Sequence, residues 1–100
     1  MEAYVEWIPF EKGGRQKHLP ENTRYCPIIV FPEEKTEDVW SAEILTNSIN
    51  DNNESMIDIS FLFPEKAPLR LLEPGIKFEL YEGRKLVASG VILREKNSNV

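Results

Sequence analysis

The sequence predicts an all-β fold of five or six short strands closed into a barrel, and three observations point there. Apolar residues recur at every second position in several short runs, no amphipathic helix of three turns is present, and Pro, Gly and Asn punctuate the runs. One hundred residues supply one hydrophobic core but not two, so residues 1–100 are expected to form a single domain.

The strands follow in order. In residues 2–10, Ala3, Val5 and Trp7 share one parity against Glu2, Tyr4 and Glu6, and Pro9 with the polar run EKGGRQKH ends the pattern in a long loop. Residues 24–31, RYCPIIVF, carry apolar groups on both faces; Pro27 removes a backbone donor and predicts an edge or bulge, and Pro32 closes the strand. In residues 39–45, Trp40, Ala42 and Ile44 alternate with Ser41 and Glu43, and the polar stretch NSINDNNES, residues 47–55, reads as a turn-rich connection. The clearest alternation is Ile57, Ile59, Phe61 and Phe63 against Asp58 and Ser60. Prolines 64, 68 and 74 then bracket the short apolar stretch LRLL. Ile76, Phe78 and Leu80 alternate with Lys77, Glu79 and Tyr81, a turn at Glu82–Gly83 follows, and Leu86–Leu93 returns as the second arm of a hairpin. Residues 94–100 read as a frayed tail.

Closure follows from energetics. An open sheet of this size exposes an apolar face and two unpaired backbone edges, whereas a barrel buries the face and pairs the edges. Each buried Ile, Leu or Phe contributes roughly 1.5–3 kcal/mol against a backbone entropy cost of about 1–2 kcal/mol per residue. The large side chains must therefore point inward, and Trp7 and Trp40 are read as core more readily than as interface anchors.

Composition narrows the functional classes. Twelve Lys and Arg against seventeen Asp and Glu give a net charge of -5, an average field that repels nucleic acid and anionic membranes while leaving room for a local basic patch. Cys26 is the only cysteine, so neither an intramolecular disulfide nor a thiolate metal cluster can form. The N-terminal residues lack the basic segment and long apolar run of a secretory signal, and no run is long enough for a membrane helix. A cytoplasmic protein without membrane attachment is expected.

The candidate chemistry is sparse. His18, the only histidine, has no nucleophile or paired carboxylate at motif spacing and reads as a solvent-facing loop residue. Cys26 stands in the most apolar strand of the first half and reads as a buried, inert thiol. Glu33, Glu34, Glu37 and Asp38 form one acidic loop, and Asp51 and Glu54 a second acidic region; neither has calcium-loop spacing, and solvated carboxylates are the reading adopted. Gly13 and Gly14 lack the lysine, hydroxyl residue and helix of a phosphate-binding loop. No metal, cofactor or catalytic residue is predicted, and the chain is not expected to be an enzyme. Lys12, Arg15, Lys17, His18 and Arg24 make the one locally basic stretch, with Trp7, Phe10 and Tyr25 nearby; it suits either a solvated loop or a contact surface.

Two segments carry a family likeness. FELYEGRKLVASGVI, residues 78–92, resembles the end of the C-terminal barrel domain of the elongation factor Tu family, with matches at Phe78, Glu82, Gly83, Val87, Gly90 and Val91. Lys85 stands for an arginine and Ala88 for a glycine of that pattern. Upstream, Gly13–Gly14–Arg15 resembles the family's Gly-Gly-Arg-His loop with Gln16 in the histidine position, and Tyr25 and Pro27 resemble its Tyr-Arg-Pro element with Cys26 in the arginine position. The resemblance implies a six-stranded antiparallel closed barrel, in which Trp7, Tyr25, Pro27, Trp40, Phe61, Phe78, Gly83 and Gly90 are expected to be structural.

In that family the domain contacts a GTPase domain, the T-stem side of aminoacyl-tRNA and an exchange factor. These residues contain no GTPase domain, so no GTP binding by this chain is expected. Cys26 and Tyr81, standing where the family has arginines, remove two charges from the implied contact regions and weaken a tRNA reading. The resemblance and the acidic charge together suggest a stand-alone, non-catalytic binding or regulatory barrel. It would contact another protein through Gly13, Gly14, Arg15, Lys17, Arg24, Arg84 and Lys85; the alternative is an RNA- or tRNA-binding accessory module using the same basic residues.

Overall fold

A computed structural model describes residues 1–12, 24–34, 39–49 and 53–95. Its strands are β1 (Glu2–Trp7), β2 (Arg24–Tyr25), β3 (Ile28–Val30), β4 (Trp40–Ile49), β5 (Glu54–Phe61), β6 (Lys77–Glu82) and β7 (Lys85–Arg94). Three single 3₁₀ turns, Phe10–Lys12, Pro64–Lys66 and Leu69–Leu71, complete the regular structure. No helix among the described residues is long and apolar enough to cross a membrane.

Seven strands make six staves. Arg24 pairs with Leu45 and Tyr25 with Ile44, while Ile28 pairs with Ser41 and Ile29 with Trp40, so the register runs without slip through Cys26 and Pro27. Pro27 cannot donate, but its carbonyl still accepts the amide of Ala42 at 2.9 Å. β2 and β3 are therefore one stave interrupted at its proline. The ring runs β4, β3, β6, β7, β1, β5 and back to β4, all antiparallel. This is the six-stranded closed barrel that the sequence predicts, with the architecture of a translation-factor C-terminal domain.

Parity decides what is inside. Ala3, Val5 and Trp7 from β1, Ala42 and Ile44 from β4, Ile57, Ile59 and Phe61 from β5, and Phe78 and Leu80 from β6 are all buried. In the β2–β3 stave, Pro27, Ile29 and Phe31 are buried and Tyr25 packs against the core. Cys26 lies on the opposite parity and is exposed, which corrects the expectation of a buried thiol.

Bulges accommodate closure. Leu80 pairs with Ala88 but Tyr81 with Leu86, so Val87 is an extra residue, and Val87 and Ala88 are consequently both buried. A second shift leaves Leu93 extra between the pairs Ala3–Ile92 and Glu2–Arg94. Arg94 thus belongs to β7 and forms a 2.7 Å ion pair with Glu2, so the predicted frayed tail does not begin at residue 94. Residues 96–100 lie outside the described residues.

Two further expectations are corrected. The polar stretch after Leu45 is not all connection: β4 continues to Ile49 and β5 begins at Glu54, because cross-strand pairing supplies backbone partners that local composition does not reveal. Phe63 does not continue the buried row. β5 ends at Phe61, Pro64 opens a 3₁₀ turn, and Phe63, at the N-cap position of that turn, is 56% exposed.

β1 and β7 approach each other closely at Gly90. A Cβ at Gly90 would lie 2.5 Å from the Tyr4 carbonyl oxygen and 2.7 Å from side-chain atoms of both Phe78 and Val5. Two of those neighbours are packed core and one is ladder backbone, so none can yield cheaply. Gly90→Ala is expected to destabilise the barrel by about 1–3 kcal/mol or more, read as a lower urea midpoint with unchanged slope. An unchanged midpoint would show that β1 does not approach β7 this closely.

Candidate functional site

Among the described residues, one end of the barrel holds the start of the β2–β3 stave, the β6–β7 tip and the end of β1. Ile28 pairs with Tyr81, so the β6–β7 hairpin adjoins β3, on the stave that begins at Arg24. Trp7 pairs with Ala88, which brings the end of β1 to the other flank of the same hairpin. The start of β5 joins them through the pair Glu6–Glu54.

The hairpin tip is a two-residue turn. Gly83, with φ of +61°, occupies its first central position, and Glu82 and Lys85 pair across it. Positive φ at that position alone is the type II′ pattern, which matches strand twist and favours glycine. Arg84 and Lys85 are held exposed on this tip. Neither makes an ion pair among the described residues.

Trp7 fixes the frame behind the tip. Its indole Nε1 donates to Ser55 Oγ at 2.8 Å within the core, its backbone amide donates to the Asn53 carbonyl at 2.7 Å, and its ring lies 6.0 Å from that of Tyr25. The next amide, Ile8, donates to the Val87 carbonyl at 2.9 Å. One residue and its neighbour thereby tie β1 to β2, to the β4–β5 turn and to β7.

Arg24 is exposed, yet its charge is engaged: its guanidinium meets Glu43 at 2.7 Å and 2.9 Å, and that carboxylate raises its already high pKa. Lys12 is exposed on the 3₁₀ turn after β1. Gly13, Gly14, Arg15, Lys17 and His18 lie outside the described residues, as do Glu37, Asp38 and Asp51. The electrostatics of this end are mixed, since Lys12, Arg24, Arg84 and Lys85 share it with Glu6, Glu11, Glu54 and Glu82. No group of three or more His, Cys, Asp or Glu residues suited to a metal occurs among the described residues.

Pairing also creates a carboxylate row that sequence reasoning misses. Glu6 faces Glu54 across β1–β5 and Ser89 across β1–β7, and Ser89 faces Glu79 across β6–β7. The Tyr4 hydroxyl lies against both Glu54 and Glu6, at 3.1 Å from the latter, and the Tyr81 hydroxyl donates to Glu79 at 3.2 Å. A phenol has one hydrogen to donate, so Glu6 and Glu54 share that of Tyr4. Glu54 was expected in an acidic connection and instead sits on β5 within this network. Only knowledge of the register could have assembled it.

The chain is therefore a closed six-stave antiparallel barrel with a hairpin end of mixed charge among the described residues. No family model and no curated protein matches it.

Two predictions follow from these contacts. Ser55→Ala leaves the buried Trp7 indole N–H without its acceptor and is expected to cost about 1–3 kcal/mol in urea unfolding, with a change in tryptophan emission; wild-type stability would show that this bond does not hold the frame. The pKa of Tyr4 is raised, chiefly by its hydrogen bond to Glu54, and that of Tyr81 chiefly by burial. With folded values above the unfolded value of about 10, this contribution to stability is complete below about pH 10 and declines as pH rises through the alkaline range. Tyr4→Phe should lose less stability above about pH 10 than wild type does, whereas an identical alkaline profile would contradict the assignment.

Proposed function

We propose that this chain is a non-catalytic binding barrel that contacts another protein through the hairpin end, with Arg84 and Lys85 at the centre of the contact. The observation that carries the reading is convergence: the hairpin whose tip bears Arg84 and Lys85 and the stave that begins at Arg24 are neighbours in the barrel. Beside them, hydrogen bonds from Trp7 and Ile8 tie the end of β1 to Ser55, Asn53 and Val87. A preorganised surface loses little entropy on binding, which suits recognition.

A protein partner fits better than RNA. Phosphate binding needs cations free to displace counterions, whereas among the described residues Arg24 is already paired with Glu43, and Glu6, Glu11, Glu54 and Glu82 offset Lys12, Arg84 and Lys85. Mixed charge at close quarters instead suits register and partner selection between proteins. The likeness of the Gly13–Arg15 and Phe78–Ile92 segments to an elongation factor Tu barrel supports the same end as a contact surface.

Affinity capture compares wild type with Arg84→Glu/Lys85→Glu, two exposed substitutions that leave the core intact. A specific protein is expected to be recovered by wild type, retained after nuclease treatment and lost with the variant. Recovery unaffected by the variant would contradict this choice of surface. Loss on nuclease treatment would instead favour the RNA-binding alternative.

A further inference from the structure

The opposite end of the barrel carries a different surface. The chain from Phe61 to Gly75 crosses that end in two 3₁₀ turns led by Pro64 and Pro68, followed by a turn at Pro74–Gly75. Leu71 and Leu72 turn inward and close the core, while Phe63 and Leu69 turn outward. Val39, at the entrance to β4, and Leu69 are each 59% exposed, and Phe63 is 56% exposed. Three of the five exposed large hydrophobic side chains among the described residues thus belong to this one end and its flank.

Trp40 lies at the centre. Its ring stands 6.0 Å from Phe31 and 6.1 Å from Phe61, which are 6.2 Å from each other, so a buried aromatic pair fixes it from below. Two surface depressions, of about 230 and 470 Å³, meet at Trp40, Lys66 and Ala67. Val39 and Phe63 wall the first, and Arg70 borders the second. Lys66 and Arg70 make no ion pair among the described residues, in a chain whose net charge is -5. Among the described residues, Glu65 is the one carboxylate lining the groove.

We propose that this groove binds a short acidic segment of a partner protein, seating an aromatic or large aliphatic side chain against Trp40 and its carboxylates against Lys66 and Arg70. A held tryptophan flanked by an apolar wall is the anchor type that dominates binding energy, and the two unspent cations select the charge of what approaches. A second copy fits less well. A two-fold dimer through this groove would set Lys66 and Arg70 against their own copies, opposing like charges. This surface is separate from the hairpin end, and neither reading depends on the other.

The test selects ligands from a library of random peptides about a dozen residues long, displayed against the immobilised chain, and measures the best binder by fluorescence anisotropy. Enriched peptides are expected to combine an aromatic or large aliphatic residue with neighbouring Asp or Glu. Binding should weaken at least about tenfold in Lys66→Glu/Arg70→Glu and in Phe63→Asp, and weaken between about 10 and 150 mM salt as screening shortens from about 30 to 8 Å. It should be unchanged in Arg84→Glu/Lys85→Glu, which separates this outcome from the hairpin-end reading. Peptides without acidic residues, no enrichment at all, or affinity indifferent to the Lys66, Arg70 and Phe63 substitutions would overturn the proposal. So would sedimentation showing a dimer abolished by Phe63→Asp, or a uridine oligonucleotide that binds the groove in place of acidic peptides.

Discussion

The barrel depends on one steric condition, the absence of a side chain at Gly90. β1 must lie between β5 and β7 for the ring to close, and its backbone reaches β7 at a point where the Tyr4 carbonyl, Val5 and Phe78 already occupy the space of a Cβ. With that approach made, Ala3, Val5 and Trp7 complete the core, and the two edges an open sheet would expose are paired. The bulge at Val87 belongs to the same solution, since it lets β7 bend around the core while burying two successive residues.

The two ends then inherit different physical characters from the same frame. At the hairpin end, Trp7 anchors three staves by hydrogen bonds and ring packing, and what protrudes is charged and of mixed sign. At the opposite end, prolines force the chain into short turns that use Leu71 and Leu72 as a lid and leave Phe63 and Leu69 outside. The core tolerates this arrangement because the Phe31, Trp40 and Phe61 rings fill the volume beneath.

Much of the fold was legible because period-two alternation is a direct consequence of burial on one face. Ala3, Val5 and Trp7, or Ile57, Ile59 and Phe61, declare their side of the sheet without further information. Misreadings arose where another constraint intervened. Cys26 looked buried because its neighbours are apolar, although the parity of Tyr25, Pro27, Ile29 and Phe31 places it outside. Phe63 kept the parity of β5, but Pro64 had already ended the strand. Ser55 sat in a polar run and gave no sign that it would meet the Trp7 indole, a contact between residues 48 positions apart. The Glu54–Glu6–Ser89–Glu79 row was invisible for the same reason, as register is a property of pairs and not of single strands.

Closure through β1 is tested most directly by amide hydrogen exchange followed by NMR. Amides of β1 engaged with β5 and β7 should exchange as slowly as those of Phe78 and Leu80 in the β6–β7 hairpin, because all open only when the ring opens. Rapid exchange throughout β1 alongside a protected hairpin would mean an open sheet with a loose terminal strand, and would contradict the barrel account.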